Sequence, residues 1–450
     1  MLIVDCVAAG VVAVLILCLA VYIVCRYSAE EEDGDGWLPR LLVVVTLCVA
    51  YYMVLLLPLE VALAGDVAAV DVAWAWKAVL VTAYVLLFVG GPFAFVFYES
   101  WLPAQDSVWS QVRPAAAVVV VLNAVFAAAF GALWVWGRYL DPKDGTLTRV
   151  PPFVYFVATA TSFGWCFFFL FAGVGLAAVP LRAVAAFVHR PRPIARAEYE
   201  LARVKLSMEV QHLLDAGRRL EAEVGSGRPN HRQQQRMLLF RRKVREVGLQ
   251  SERNETSYHL SGAHILRCYL AVAAAAVNGV VSMTWVLNIL LSNILHVYPL
   301  MDRMLCSLNR LLPMLATLVY AYAAMYLMWC TIVGCRTVSG NVLVLPVYPL
   351  RVRGTMLNAL LFNSVLLLCS AFAVLHLCVV SLPTYAASSF MHTVLAVTLP
   401  HMFGVRYVAY GLQYALLAIF AFSVPWLTLC PQCGRSAESD AEGEDGDGLA

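Results

Sequence analysis

Charge is what this sequence has least of. Only 13% of its 450 residues are charged, against about 25% in ordinary soluble domains. Lysine occurs four times, and none of these follows the glycines of a G-x-x-x-x-G-K-S/T loop, so no such cradle for ATP phosphates is present. H-E-x-x-H, the paired zinc ligands of a metalloprotease helix, is missing, and so is the G-x-S-x-G elbow of serine hydrolases. Histidines are scattered rather than set at metal spacing. No enzymatic role, no resident metal, no covalently bound cofactor and no nucleic-acid partner are expected.

What the chain has instead is apolar surface, with 62% hydrophobic residues. Several runs exceed the ~20 residues needed to cross a hydrocarbon core. In lipid each backbone N–H and C=O must be satisfied within its own segment, which requires helices. The expected fold is therefore all-α, a polytopic membrane protein with nine spans. They are placed at 2–25, 38–57, 78–98, 115–136, 153–181, 266–290, 311–335, 357–380 and 403–429. The fifth is long enough to tilt or to end in a short interfacial stretch. The first has no basic segment before it, and its apolar run is about twice a signal-peptide core. It reads as a retained reverse anchor.

Basic residues set the expected orientation, N-terminus in the lumen and C-terminus in the cytosol. Arg26, Arg40, Arg113, Arg336, Arg351, Arg353 and Arg435 then fall on the cytosolic side, with sixteen more basic residues in the central loop 182–264. Lys77, Arg138, Lys143, Arg149, Arg303 and Arg310 fall in the lumen. Long loops weigh little in this rule, but the short loop 336–354, with three arginines and no acid, points the same way. The thirteen cysteines make no disulfide framework, because most lie inside spans and only Cys306 sits clearly in a luminal loop. Cys430-Pro-Gln-Cys433 is a single pair, too few ligands for tetrahedral zinc. It reads as membrane-edge cysteines, with palmitoylation as the alternative.

The central loop is the one substantial polar stretch. Leu206, Val210, Leu213, Gly217, Leu220 and Val224 step by four and three, an a/d seam. Gly225-Ser-Gly-Arg-Pro-Asn230 stops that helix. Met237, Phe240, Val244 and Val247 repeat the spacing in a second one. A basic helical hairpin packed along one seam explains both stripes, and its outer faces read as a solvated charged surface before a lipid- or protein-binding one. Glu209-Val-Gln-His-Leu213-Leu214 fits an acidic dileucine sorting pattern, yet Leu213 belongs to the seam, so packing is its expected role. The chain thus divides into spans one to five (1–181), the hairpin (182–264), spans six to nine (265–430) and an acidic tail (431–450) with too little to bury to fold.

Ionisable residues within spans are functional candidates by default. Leu57-Pro58-Leu59-Glu60 is the sharpest case. Pro58 removes one helical hydrogen bond, so the chain can open there and Glu60 falls at the luminal boundary. The carboxylate then either ends a helix at water or lines a luminal vestibule. Arg406, at the start of span nine, is a candidate counter-charge. Asp5, near the luminal end of span one, and Glu99, after the aromatic run 92–98, complete the candidate path. Asn123, Asn278, Asn363 and Gln413 either line it or bind neighbouring helices, at under about 1 kcal/mol each. His296, His376, His392 and His401 fall in or near luminal loops and read as ordinary loop histidines before a pH sensor.

Nine spans, an N-terminus outside and one long helical cytosolic loop between spans five and six resemble the LIMR family, the limb-region and lipocalin-receptor membrane proteins. Leu57-Pro58-Leu59-Glu60 is similar to that family's Leu-Pro-x-Asp at the end of span two. Pro92-Phe93-Ala94-Phe95-Val96-Phe97-Tyr98-Glu99 is similar to its aromatic Pro-Phe…Tyr-Tyr-Glu near span three. Val179-Pro180-Leu181 is similar to its Leu-Pro-Leu at the exit of span five, and Gly227-Arg228-Pro229 to its hairpin break. Within the family, the chain looks most like the member that carries cobalamin out of lysosomes. It departs from that member at Glu60, where the acid is Asp, at Ser100, which replaces the second of two acids, and at Met314-Leu315, where an acid is expected. The resemblance implies a multi-pass protein of the lysosomal or endosomal membrane. Its ligand would be cobalamin, with its cobalt, exported to the cytosol directly or as accessory to an ATP-binding cassette partner. The alternative is a LIMR-type receptor or trafficking scaffold that transports nothing. Expected partners are the lipid bilayer, that cassette transporter, a second copy of the chain, and cytosolic proteins at the 194–255 hairpin.

Overall fold

The computed structural model describes residues 2–28, 37–63, 72–99, 108–139, 151–188, 194, 196–224, scattered positions from 240 to 258, 264–338, 355–401 and 405–429. The Cys430–Cys433 pair, the acidic tail, the break at 225–230 and the arginines at 351 and 353 lie outside them. The described chain is helical, and its one β contact is an isolated bridge between Ser28 and Thr355. In order the helices are α1 (Leu2–Tyr27), α2 (Trp37–Leu63), α3 (Ala73–Val85), α4 (Gly91–Glu99), α5 (Val108–Tyr139), α6 (Pro152–Val188), α7 (Arg196–Val224), α8 (His264–Asn288), α9 (Leu300–Leu311), α10 (Pro313–Val338), α11 (Leu357–Ser381) and α12 (Val405–Leu429). Nine membrane spans result among the described residues: α1, α2, α3 joined to α4, α5, α6, α8, α10, α11 and α12. This is an all-α polytopic membrane protein.

Two elements depart from simple spans. A π turn, Leu86–Gly90, joins α3 to α4. Such a turn disturbs the regular ladder of backbone hydrogen bonds, and Asn123 of α5 meets it. The Asn123 amide donates to the carbonyl of Phe88 at 2.8 Å and its oxygen accepts the Tyr84 hydroxyl at 2.5 Å. This asparagine therefore binds a neighbouring helix. The other departure is α6, whose 37 residues run on through Pro180. At about 1.5 Å per residue such a helix exceeds the hydrocarbon thickness by nearly half its length.

Two compact units make up the chain, Met1–Val179 with Gly279–Ala450, and Pro180–Asn278. In the first, α11 is the centre, with most of its side chains buried, whereas most of α5 is exposed and left to lipid. Lipid tails give helices no hydrophobic reason to associate, so close backbone approach has to do it. Gly175 of α6 and Gly334 of α10 supply that approach. A Cβ on Gly175 would overlap the carbonyl of Cys330, and one on Gly334 would overlap that of Phe171. Polar pairs then fix the register. Ser282 of α8 donates to the Leu176 carbonyl at 2.8 Å, and the Trp165 indole donates to Nδ1 of His376 at 3.1 Å. His376 is a fully packed core group in α11 rather than a loop histidine. His296, by contrast, is exposed.

In the second unit Leu213 and Val247 are buried, Leu206 is half-buried, and the Phe240 ring covers Gly217, where an added Cβ would lie 3.0 Å from it. The Tyr199 and Tyr258 rings stack at 4.4 Å. Val210 and Val244 sit at the edge of this packing, 41% and 45% exposed. The side chains of Leu220, Val224 and Met237 lie outside the described residues.

Candidate functional site

The connection between α11 and α12 is a folded plug rather than a plain loop. A helical turn at Phe390–His392, a π segment at Thr393–Thr398 and a 3-10 turn at Leu399–His401 follow one another. Leu382, Tyr385, Ala386, Met391, Leu395 and Leu399 are buried. Buried backbone N–H groups need hydrogen-bond partners. Here two carboxylates from other elements meet them.

Glu60, 7% exposed, sits one turn before the end of α2. Its Oε1 accepts the backbone N–H of Phe390 at 2.8 Å, and its Oε2 accepts the indole N–H of Trp76, at the start of α3, at 2.7 Å. Asp302 of α9, 2% exposed, is the second. Its Oδ1 accepts the N–H of Tyr385 at 2.9 Å and that of Thr384 at 3.1 Å, with Oδ2 at 3.3 Å from the latter. Among the described residues neither carboxylate forms an ion pair. Between them, the two acids clasp residues 384–390, which with the rest of 382–401 we term the lid.

The structure also corrects the expectation at Pro58. Helix α2 does not open there but continues to Leu63. Proline has no N–H to give to the carbonyl four residues back, and that carbonyl, of Val54, instead lies 3.4 Å from the hydroxyl of Tyr320 in α10. The Tyr320 ring in turn stacks on Tyr385 of the lid, centroids 5.9 Å apart. The Pro58–Glu60 pair thus serves one structure twice: the proline leaves an acceptor for Tyr320 beneath the lid, and the acid holds the lid itself. Beside these residues a cavity of about 10 Å³, lined by Trp285, Met301, Leu305, Tyr320, Cys378 and Leu382, has room for one water. A cavity of that size admits no organic substrate.

Of the other candidates, Asp5 lies in α1, Glu99 ends α4 and Arg406 lies in α12. Their side chains are outside the described residues. Asp302 was not singled out by sequence reasoning. Its signal was available: Met301, Leu305 and Leu308, spaced four and three, mark a short amphipathic helix with a single acid beside the buried stripe. Trp76 and the lid residues carry no motif.

Cys306, one turn along α9, donates its thiol to Asp302 Oδ1 at 3.9 Å. Burial, and then the neighbouring Asp302 carboxylate, push this thiol above its ordinary range. The thiolate is the reactive form. Maleimide at neutral pH should therefore label Cys306 more slowly than a model thiol, and Asp302→Asn should accelerate it severalfold. Peptide mass spectrometry of the labelled full chain reads both.

Comparison with known proteins places this architecture. Residues 5–247 match the model of the LMBR1-like membrane proteins. A LIMR family protein of Dictyostelium discoideum is 23% identical, the alignment covering 93% of this chain and 95% of the relative. One from Oryza sativa subsp. japonica is 24% identical over 93% and 95%, and one from Arabidopsis thaliana 23% over 92% and 94%. No solved structure matches the chain. With nine spans among the described residues and a family match over residues 5–247, more than half of its length, the chain belongs to the LMBR1-like, or LIMR, family of membrane proteins.

Proposed function

We propose that this chain is a transport protein of the lysosomal or endosomal membrane, oriented with the lid in the lumen, that exports cobalamin to the cytosol. The reading of the ligand rests on the family resemblance. The observation that carries a transport role is the lid: a buried, partly non-helical segment held by two carboxylates at one end of the bundle. A path through a bundle needs a closure that opens without melting the helices. Hydrogen bonds from backbone N–H groups to carboxylates suit that, because water can take over both partners when the segment moves. Without a P-loop, the energy for uphill movement comes from elsewhere, and an ATP-binding cassette partner supplies it.

A second reading, a receptor or trafficking scaffold, has one observation in its favour. On the side of α7 away from Leu206 and Leu213, Leu201, Val204 and Met208 are 72%, 59% and 59% exposed at heptad spacing. Lysosomes from cells lacking the chain separate the two readings. Transport predicts that they retain labelled cobalamin and that wild-type chain clears it. Normal cobalamin release without the chain contradicts transport. Clearance that fails only when 194–255 is replaced by a flexible linker favours the scaffold.

A further inference from the structure

Helix α9 has an outer surface that the lid does not use. Met301, Asp302 and Leu305 are buried against the bundle. On the other side Arg303, Ser307 and Arg310 are exposed, and steps of four and three set them in one line. Alongside that line Met304 and Leu311 are 47% and 77% exposed. This apolar edge continues into Leu312, Met314, Leu315 and Leu318 at the start of α10, all exposed. Because α10 is a membrane span, exposed side chains of this kind meet hydrocarbon there. The arginine line beside them therefore lies at headgroup depth, where long cationic side chains rest their stems on apolar surface and keep the charge among polar groups.

The arginines are also prepared for an anion. The Arg303 guanidinium lies over the Tyr298 ring at 4.5 Å, a stacking that holds its fork in place. The one acid of α9, Asp302, is turned inward and bonded to Thr384 and Tyr385. Seven residues of helix set Arg303 and Arg310 about 10 Å apart, enough to bracket one headgroup. Guanidinium groups meet phosphate oxygens in pairs of parallel hydrogen bonds.

We propose that the outer edge of α9 binds an anionic phospholipid of the leaflet at the lid end. Arg303 and Arg310 hold its headgroup phosphate, Tyr298 orients Arg303, and Met304, Leu311 and Leu312 receive the first part of its acyl chains. This site is independent of what the bundle transports. Since α9 also carries Asp302, a lipid seated there steadies the helix to which the lid is bonded.

The test uses the full chain in phosphatidylcholine nanodiscs containing a minor fraction of phosphatidylglycerol, with lipids retained after mild detergent extraction quantified by mass spectrometry. Phosphatidylglycerol should be enriched over its bulk fraction. The pair Arg303→Gln, Arg310→Gln should reduce that enrichment, by about fivefold for each arginine removed. Arg303→Lys with Arg310→Lys should retain part of it. Lys77→Gln, which removes an exposed cation on a different helix, α3, should change nothing. The site is overturned if the wild-type chain shows no enrichment, if the double glutamine variant keeps it, or if Lys77→Gln lowers it as much.

Discussion

Gly334→Ala should leave little folded protein to measure. The added methyl group would overlap the carbonyl of Phe171, part of the α6 backbone, and also approach the backbone N of Gly175. A side chain could swing aside, but a helix backbone cannot. To make room α6 and α10 must separate, which undoes the close contact that joins them in place of a hydrophobic drive. Overpacking a core costs typically about 1–3 kcal/mol, occasionally more, and a backbone obstacle belongs at or above the top of that range. Gly175→Ala should behave alike, because its methyl group would overlap the carbonyl of Cys330. Gly10, Gly131 and Gly411 have nothing within 4 Å of the same methyl position. There alanine should be neutral or should stabilise by up to about 1 kcal/mol, as the better helix former. Yield of monodisperse protein and the melting midpoint in detergent, compared across the five variants, check this contrast.

The second large effect is expected at the lid. Asp302→Ala removes the acceptor of the Thr384 and Tyr385 N–H groups, and a buried donor left unbonded costs about 1–3 kcal/mol. Glu60→Gln is subtler. The carboxylate offers one oxygen to Phe390 and the other to Trp76, whereas an amide has only one acceptor oxygen. One of the two N–H donors then faces an NH2 group. The substitution should loosen residues 382–401 to hydrogen exchange while leaving α6 and α10 protected. Trp76→Phe removes the competing donor, so Glu60→Gln combined with Trp76→Phe should recover part of the lost protection. That non-additive result is what two groups sharing one contact produce. Simple addition of the two single effects would mean that Glu60 does not bridge Trp76 and Phe390.

The fold was legible because lipid leaves so few choices. Uncharged runs of sufficient length fixed the spans, and in α7 the stepped position Gly217 meets Phe240. The Leu-Pro-x-acid pattern singled out Glu60, but not the partners its carboxylate binds. Nothing local in the sequence says that Tyr320, 266 residues from Val54, takes the hydrogen bond a proline leaves open. Likewise Glu60 and Phe390 are 330 residues apart. The segment 382–401 simply falls between the spans placed at 357–380 and 403–429, and its π and 3-10 turns lie against buried neighbours that no local pattern announces. Asp302 stayed hidden for a related reason. A twelve-residue helix between two spans is masked by their hydropathy.

The measurement closest to the central claim is cobalamin release from lysosomes of cells lacking the chain, after re-expression of Glu60→Gln at wild-type abundance and with its lid already shown by hydrogen exchange to be loosened. A lid that must close during export predicts release reduced severalfold relative to wild type, with part of it regained when Trp76→Phe is added. Release at the wild-type rate from that loosened variant would contradict the account, and would leave the two carboxylates as structural ties with no part in a transport path.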